Sequence, residues 1–230
     1  MDHLDWKDKK KVKLVNKQLS FYQRLKKAFE SDIDIDPGRL MGLTDGIFGM
    51  VMTLLIFGIA LPELQIANYS DFLTFLSTLA PTVGVTVVSF VLISSFWVYH
   101  HEFIKVKTLN IPYLWINIGF LICISFIPFS TSLIGHYSHF FMSEALFGLN
   151  IFLTSLFFIL TYFYASQRGF LEKSPSKEEK KRVLQLFFLV MGLTVIVNLL
   201  DFNVSSKFIY LFLLVPVIST IMDIRFKMEL

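Results

Sequence analysis

Six long apolar stretches, at about 43–62, 72–98, 112–135, 141–164, 183–200 and 207–224, dominate this chain. A helix rises about 1.5 Å per residue, so about 20 apolar residues suffice to cross the hydrocarbon of a bilayer. In water, a fold would have to cover all six stretches on every side. A chain of 230 residues with 54% hydrophobic and only 17% charged residues cannot do so. The 26 phenylalanines point the same way. The expected fold is an all-α integral membrane protein with six transmembrane helices per subunit.

The basic residues fix how those spans alternate. Of the 21 Lys and Arg, all but Lys207 fall before or at the start of the first stretch, in the second and fourth connections, or in the C-terminal tail. Connections that stay in the cytoplasm hold the excess of Lys and Arg. Both termini are therefore expected to be cytoplasmic, in a multi-pass protein of the cell membrane. The charged N-terminus shows no leading apolar run, so no cleavable signal peptide is expected. The single Cys123 lies inside the third span and excludes a disulfide framework.

Two regions follow: an arm over 1–38 and a transmembrane domain over 39–230. In the arm, Val12, Val15, Leu19, Tyr22, Leu25 and Phe29 recur every three or four residues, the period of an amphipathic helix. Such a helix lies on the membrane surface or against a neighbouring subunit. The basic run from Lys9 to Lys13 is not read as binding nucleic acid. Asp32, Asp34 and Asp36 form an acidic patch, and Pro37-Gly38 breaks the helix.

Within the first span, Met50, Thr53, Leu54 and Phe57 share one helical face, and Gly42 and Gly46 are small residues four apart. By itself such a stripe reads as a surface toward lipid or another helix. Arg39 and Asp45 at the span's start weaken that reading, because a carboxylate near lipid is costly unless paired or wetted. His100 and His101 are adjacent, so they point to different helix faces and make a poor metal pair. Asn117 is deep in apolar sequence and needs a partner, for which Asp45 or His100 are candidates. Pro128 introduces a kink. Glu144, Asn150 and Asn198 read as isolated interface or packing groups rather than an ion-binding cluster.

Phosphate loops, metal-ligand motifs and nucleophile elbows are missing, as are the ordinary potassium-channel filter and an arginine-rich voltage sensor. No enzyme, cofactor or resident metal is expected. These patterns leave a channel or a transporter.

Four short motifs carry a resemblance. Arg39 to Asp45 (RLMGLTD) resembles the RxxxFSD motif of the lysosomal potassium channel family, transmembrane protein 175, and its prokaryotic relatives. Trp97 to His100 looks like that family's WxxH, Leu114 to Asn117 like its LxLN, and Pro128 to Thr131 like its PFsT. The resemblance implies a homotetrameric cation channel with a central pore lined by the first span. Carried over residue by residue, it implies an apolar constriction at Met50, Leu54 and Phe57 and a hydroxyl at Thr53 linked to potassium preference. Arg39, Thr44, Asp45, Trp97, His100 and Asn117 are then a structural clasp that sets the angle of the first span. Glu63 is a candidate for concentrating cations at the outer mouth. Leu43 and Thr44 depart mildly from the motif. Asn110 replaces an Asp common in relatives, and Met50 and Phe57 replace Leu or Ile.

The implied partners are potassium ions, the bilayer and three further copies of the chain. Sodium and protons stay open as permeant ions. A proton-conducting leak channel and a secondary transporter are the alternatives. No convincing repeat of spans 1–3 is seen in spans 4–6, which speaks against an inverted-repeat transporter.

Overall fold

The computed structural model describes residues 35–59, 66–203 and 208–228, together with parts of 21–31. Most of the arm, Glu63 and Lys207 lie outside the described residues. The described chain is helical: α1 (Pro37–Phe57), α2 (Tyr69–Phe103), α3 (Ile111–Tyr137), α4 (Phe141–Arg168) and α5 (Lys177–Asn203). These five are long and apolar enough to cross a membrane.

The expected sixth span takes a different form. Six residues of 3-10 helix, Phe208–Leu213, run into α6 (Leu214–Met228), which is too short to cross by itself. Pro216 stands in the first turn of α6. Without an N–H it cannot close an α-helical bond back to Phe212, so regular α geometry starts only here.

Local sequence sets the helix ends. Pro37 starts α1 rather than merely ending the arm: Asp36 caps it by accepting from the Gly38 N–H at 3.0 Å. Asn68 and Asp71 form a reciprocal capping box at the start of α2. Asn110 caps α3, its Oδ1 accepting from the Tyr113 N–H at 3.0 Å. Gly169 ends α4 with φ of 71°, the left-handed conformation that a side chain would strain. The following N–H, of Phe170, then returns to the Ala165 carbonyl at 2.9 Å.

That turn places one connection against another. Lys107 N–H donates to the Phe170 carbonyl, and Glu172 N–H donates to the Lys105 carbonyl, both at 2.8 Å. The α2–α3 and α4–α5 connections, both rich in Lys, thus meet at one end of the bundle. The start of α1 lies at that same end, because Asp36 and Gly38 share a cleft with Lys105 and Glu172.

The interior is a chain of stacked and tilted rings crossing five helices. Phe48 of α1 meets Phe120 of α3 (6.0 Å between ring centres). Phe120 stacks on His100 of α2 (5.7 Å, 7°) and meets Phe158 of α4 edge-on (5.8 Å). Phe158 stacks on Phe187 of α5 (4.0 Å, 18°), which in turn touches Phe96 of α2. The lipid phase is as apolar as these rings, so tight packing rather than expulsion of water holds them together.

The turn before Pro128, inside α3, has its own clamp. Asn150 of α4, with its amide turned to satisfy its neighbours, donates to the Cys123 carbonyl (3.0 Å). It also accepts from the Ile127 N–H (3.1 Å) and from the Ser130 hydroxyl (3.2 Å). Cys123 and Ile127 are the pair that would close the turn just before Pro128. Asn150 bridges that turn, and so is not the isolated group the sequence suggested.

Candidate functional site

The site is built on α1. Its Leu40, Thr44, Phe48, Val51 and Leu55, spaced by three or four, are buried against α2 and α3. The opposite face is uncovered. Met50 is 68% exposed, Leu54 51% and Phe57 84%, whereas Phe48 and Leu55 are each 1% exposed. Thr53 is on the exposed face, and so are Gly42, Gly46 and Gly49. A Cβ added at any of those three glycines would meet nothing within 4 Å.

The Thr53 hydroxyl donates to the Met50 carbonyl at 2.7 Å. Its proton is thereby committed to its own helix, and the oxygen lone pairs are free to face outward. A hydroxyl held this way acts only as an acceptor, which is what a cation ligand requires.

Of the six expected clasp residues, the structure joins some and separates others. Trp97 Nε1 of α2 donates to Asp45 Oδ1 at 3.0 Å, and His101 stacks on the indole (5.8 Å, 25°). His100, one position on, points instead into the core, where it stacks on Phe120 and approaches Asn117 of α3. The imidazole Nε2 and both amide atoms of Asn117 make no hydrogen bond. Of the two partners expected for Asn117, His100 is thus the one beside it. Thr44 is buried, and its hydroxyl donates to the Leu40 carbonyl of its own helix at 3.0 Å. Arg39 is exposed and makes no ion pair among the described residues. Of the expected clasp residues, Asp45 and Trp97 share a side-chain hydrogen bond between α1 and α2, whereas Thr44 contributes packing and bonds within its own helix.

Beside this junction is a cleft of about 390 Å³, walled by Asp45, His100, His101, Lys105 and Glu172. It opens at the end where the Lys-rich connections meet, and carries both signs of charge.

The sequence reading missed the role of Asn110. Its amide nitrogen donates to Tyr164 Oη at 2.9 Å while its oxygen caps α3, so it ties α3 to α4. Its place directly before Ile111-Pro112 was the available signal, since Asn preceding an early proline is a helix start.

Replacing Trp97 with Phe keeps the ring and removes the donor to Asp45. Thermal unfolding in detergent is expected to show a loss of about 1 kcal/mol, the net worth of one such hydrogen bond at a partly exposed site. An unchanged midpoint would mean that the bond does not hold α1 against α2.

Comparison with known proteins adds a likeness to one channel family. Residues 39–128 match the model of the endosomal/lysosomal potassium channel TMEM175. A potassium channel of Chamaesiphon minutus is 30% identical over 103 residues, 44% of this chain and 51% of that relative. A potassium channel of a Chryseobacterium strain is 28% identical over 163 residues, 68% of this chain and 80% of that relative. The alignment thus spans about half the length of the first relative.

The crystal structure of a lysosomal potassium-selective channel TMEM175 homolog from Chamaesiphon minutus is similar in fold. It has a TM-score of 0.66 at 22% identity and covers 82% of this chain and 97% of that one. The segment that matches the TMEM175 model runs from Arg39 at the start of α1 to Pro128 in α3. It therefore contains the exposed stripe of α1, the Asp45–Trp97 junction and Asn117.

Proposed function

We propose that this chain is a cation channel of the cell membrane, weakly selective for potassium over sodium. Four copies surround a pore lined by α1. The observation that carries the reading is the uncovered face of α1, in a segment matched to a channel family. Lipid gains little from a stripe of three glycines and a threonine. Close approach of helices from neighbouring copies does gain, because small residues let backbones pack.

In this reading Met50, Leu54 and Phe57 form stacked apolar rings that narrow the pore and gate it by dewetting. Thr53 offers hydroxyl oxygens to a partly dehydrated ion. Potassium sheds water more readily than sodium, so a weakly coordinating ring favours it modestly. Asp45, held by Trp97, sets the angle of α1, and Glu63 is assigned to the outer mouth. The Lys-rich end of the bundle faces the cytoplasm, with both termini there. The 3-10 turn and α6 together make the sixth crossing.

Ion flux into liposomes under potassium, sodium and proton gradients in turn is the test. The channel reading expects passive, unsaturated potassium flux exceeding sodium flux. Saturable uptake coupled to a second ion would replace it with a transporter, and flux of protons alone with a proton leak. Thr53→Ala is expected to lower the potassium/sodium permeability ratio roughly threefold, equivalent to about 0.7 kcal/mol. An unaltered ratio would remove Thr53 from the selective step.

A further inference from the structure

The end of the bundle opposite the Lys-rich connections holds a second polar cluster that the pore reading does not use. Glu144 is in the first turn of α4 and is 6% exposed, and Asp201 is in the last turn of α5 and is 9% exposed. The two carboxylates lie within electrostatic reach of each other.

Asn198 joins them. It is one turn before Asp201 on the same face of α5, and its amide packs directly against Gly148 of α4, one turn after Glu144. The Asn198 nitrogen is already used, donating to the Thr194 carbonyl at 2.8 Å. Asp201 Oδ1 accepts, at 3.4 Å, from the Phe208 N–H at the start of the 3-10 turn.

What remains is a set of acceptors without donors: Glu144 Oε1, Asp201 Oδ2 and Asn198 Oδ1. No basic side chain pairs with either carboxylate among the described residues. Buried carboxylates do not stay ionised without a compensating charge. One shared proton would satisfy one oxygen in one direction. A hard cation would satisfy all three at once, and a charge of two matches two carboxylates. Oxygen donors of this kind are the ligands of magnesium and calcium, with water completing the shell.

We propose that Glu144, Asp201 and Asn198 form a binding site for one divalent hard cation, magnesium or calcium, which ties α4, α5 and the turn before α6 together. The site lies away from α1 and does not depend on the pore reading.

The test is thermal unfolding of the purified full chain in detergent at neutral pH, titrated with magnesium chloride, calcium chloride or potassium chloride. A divalent salt is expected to raise the midpoint, because a ligand that binds only the folded state stabilises it. The half-effective concentration is expected to rise roughly tenfold in Glu144→Gln and again in Asp201→Asn, since affinity at such sites follows the number of charged ligands. Both substitutions keep shape and remove a buried charge, so each variant retains the fold. Glu178→Gln, at an exposed carboxylate in the first turn of α5, at the Lys-rich end, is expected to behave like the wild type. The proposal is overturned if no divalent ion shifts the wild type, or if both site variants shift as the wild type does. It is also overturned if potassium chloride works equally well, or if acidification alone stabilises the protein with no divalent dependence, which would assign the pair a shared proton.

Discussion

Potassium flux into liposomes is expected to rise about tenfold when Met50, Leu54 and Phe57 are replaced together by alanine. The three side chains are large apolar groups, each more than half exposed, on the uncovered face of α1. If they ring a pore, each sets the width of a layer in which water is scarce. Truncation to a methyl widens every layer and lets water wet it, and a tenfold gain in flux needs only about 1.4 kcal/mol off the barrier. The single variants are expected to rank by exposure and bulk, Phe57→Ala with the largest effect. None of them disturbs the core, since Phe48, Val51 and Leu55 carry the packing of this helix from its other face. Conduction that is unchanged in all three single variants and in the triple would sink the pore assignment. The fold would be untouched by that result.

The second large effect is on stability. Phe158→Ala is expected to cost about 3–5 kcal/mol, the range for removing a fully buried ring from a packed interior. Phe158 is the hub of the ring ladder: it stacks on Phe187 at 4.0 Å and meets Phe120 and His100 edge-on. Its removal leaves a void at the point where α2, α3, α4 and α5 converge, and helices locked by neighbouring rings cannot close it. Phe188, the next residue on α5, is 60% exposed and makes a matched control, with Phe188→Ala expected to cost under about 1 kcal/mol. Thermal unfolding in detergent measures both. Equal losses would mean that the ladder contributes no more than a ring at the protein's periphery.

The two tests probe different ranges of the sequence's influence. Hydrophobic length is a local property, and the five long helices fall where the apolar stretches do. The faces of α1 were legible too. A period of 3.6 residues necessarily puts Met50, Thr53, Leu54 and Phe57 on one side and Phe48, Val51 and Leu55 on the other. Helix starts were partly legible, with Pro37-Gly38 read as a break although proline behind an aspartate is equally a start. The form of the sixth stretch was not legible, because an apolar count is blind to Pro216, whose missing N–H bears on where α geometry begins.

What the chain's residues determined by themselves, then, is membrane class, approximate helix positions and which side chains share a face. Those depend on composition and on the fixed pitch of a helix, both of which act over a few residues. Only the tertiary structure decided which faces meet. It left the stripe of α1 bare and set Asp45 against Trp97. It laid Asn150 across the turn before Pro128, and brought Glu144 and Asp201 together across Asn198. Each of those pairings depends on how helices rotate and cross, and that is set by ring against ring and glycine against side chain far apart in the chain. Asn150 and Asn198 looked alike as lone polar residues in apolar runs. Their different neighbours on α3 and α4 made one a clamp and the other an open ligand.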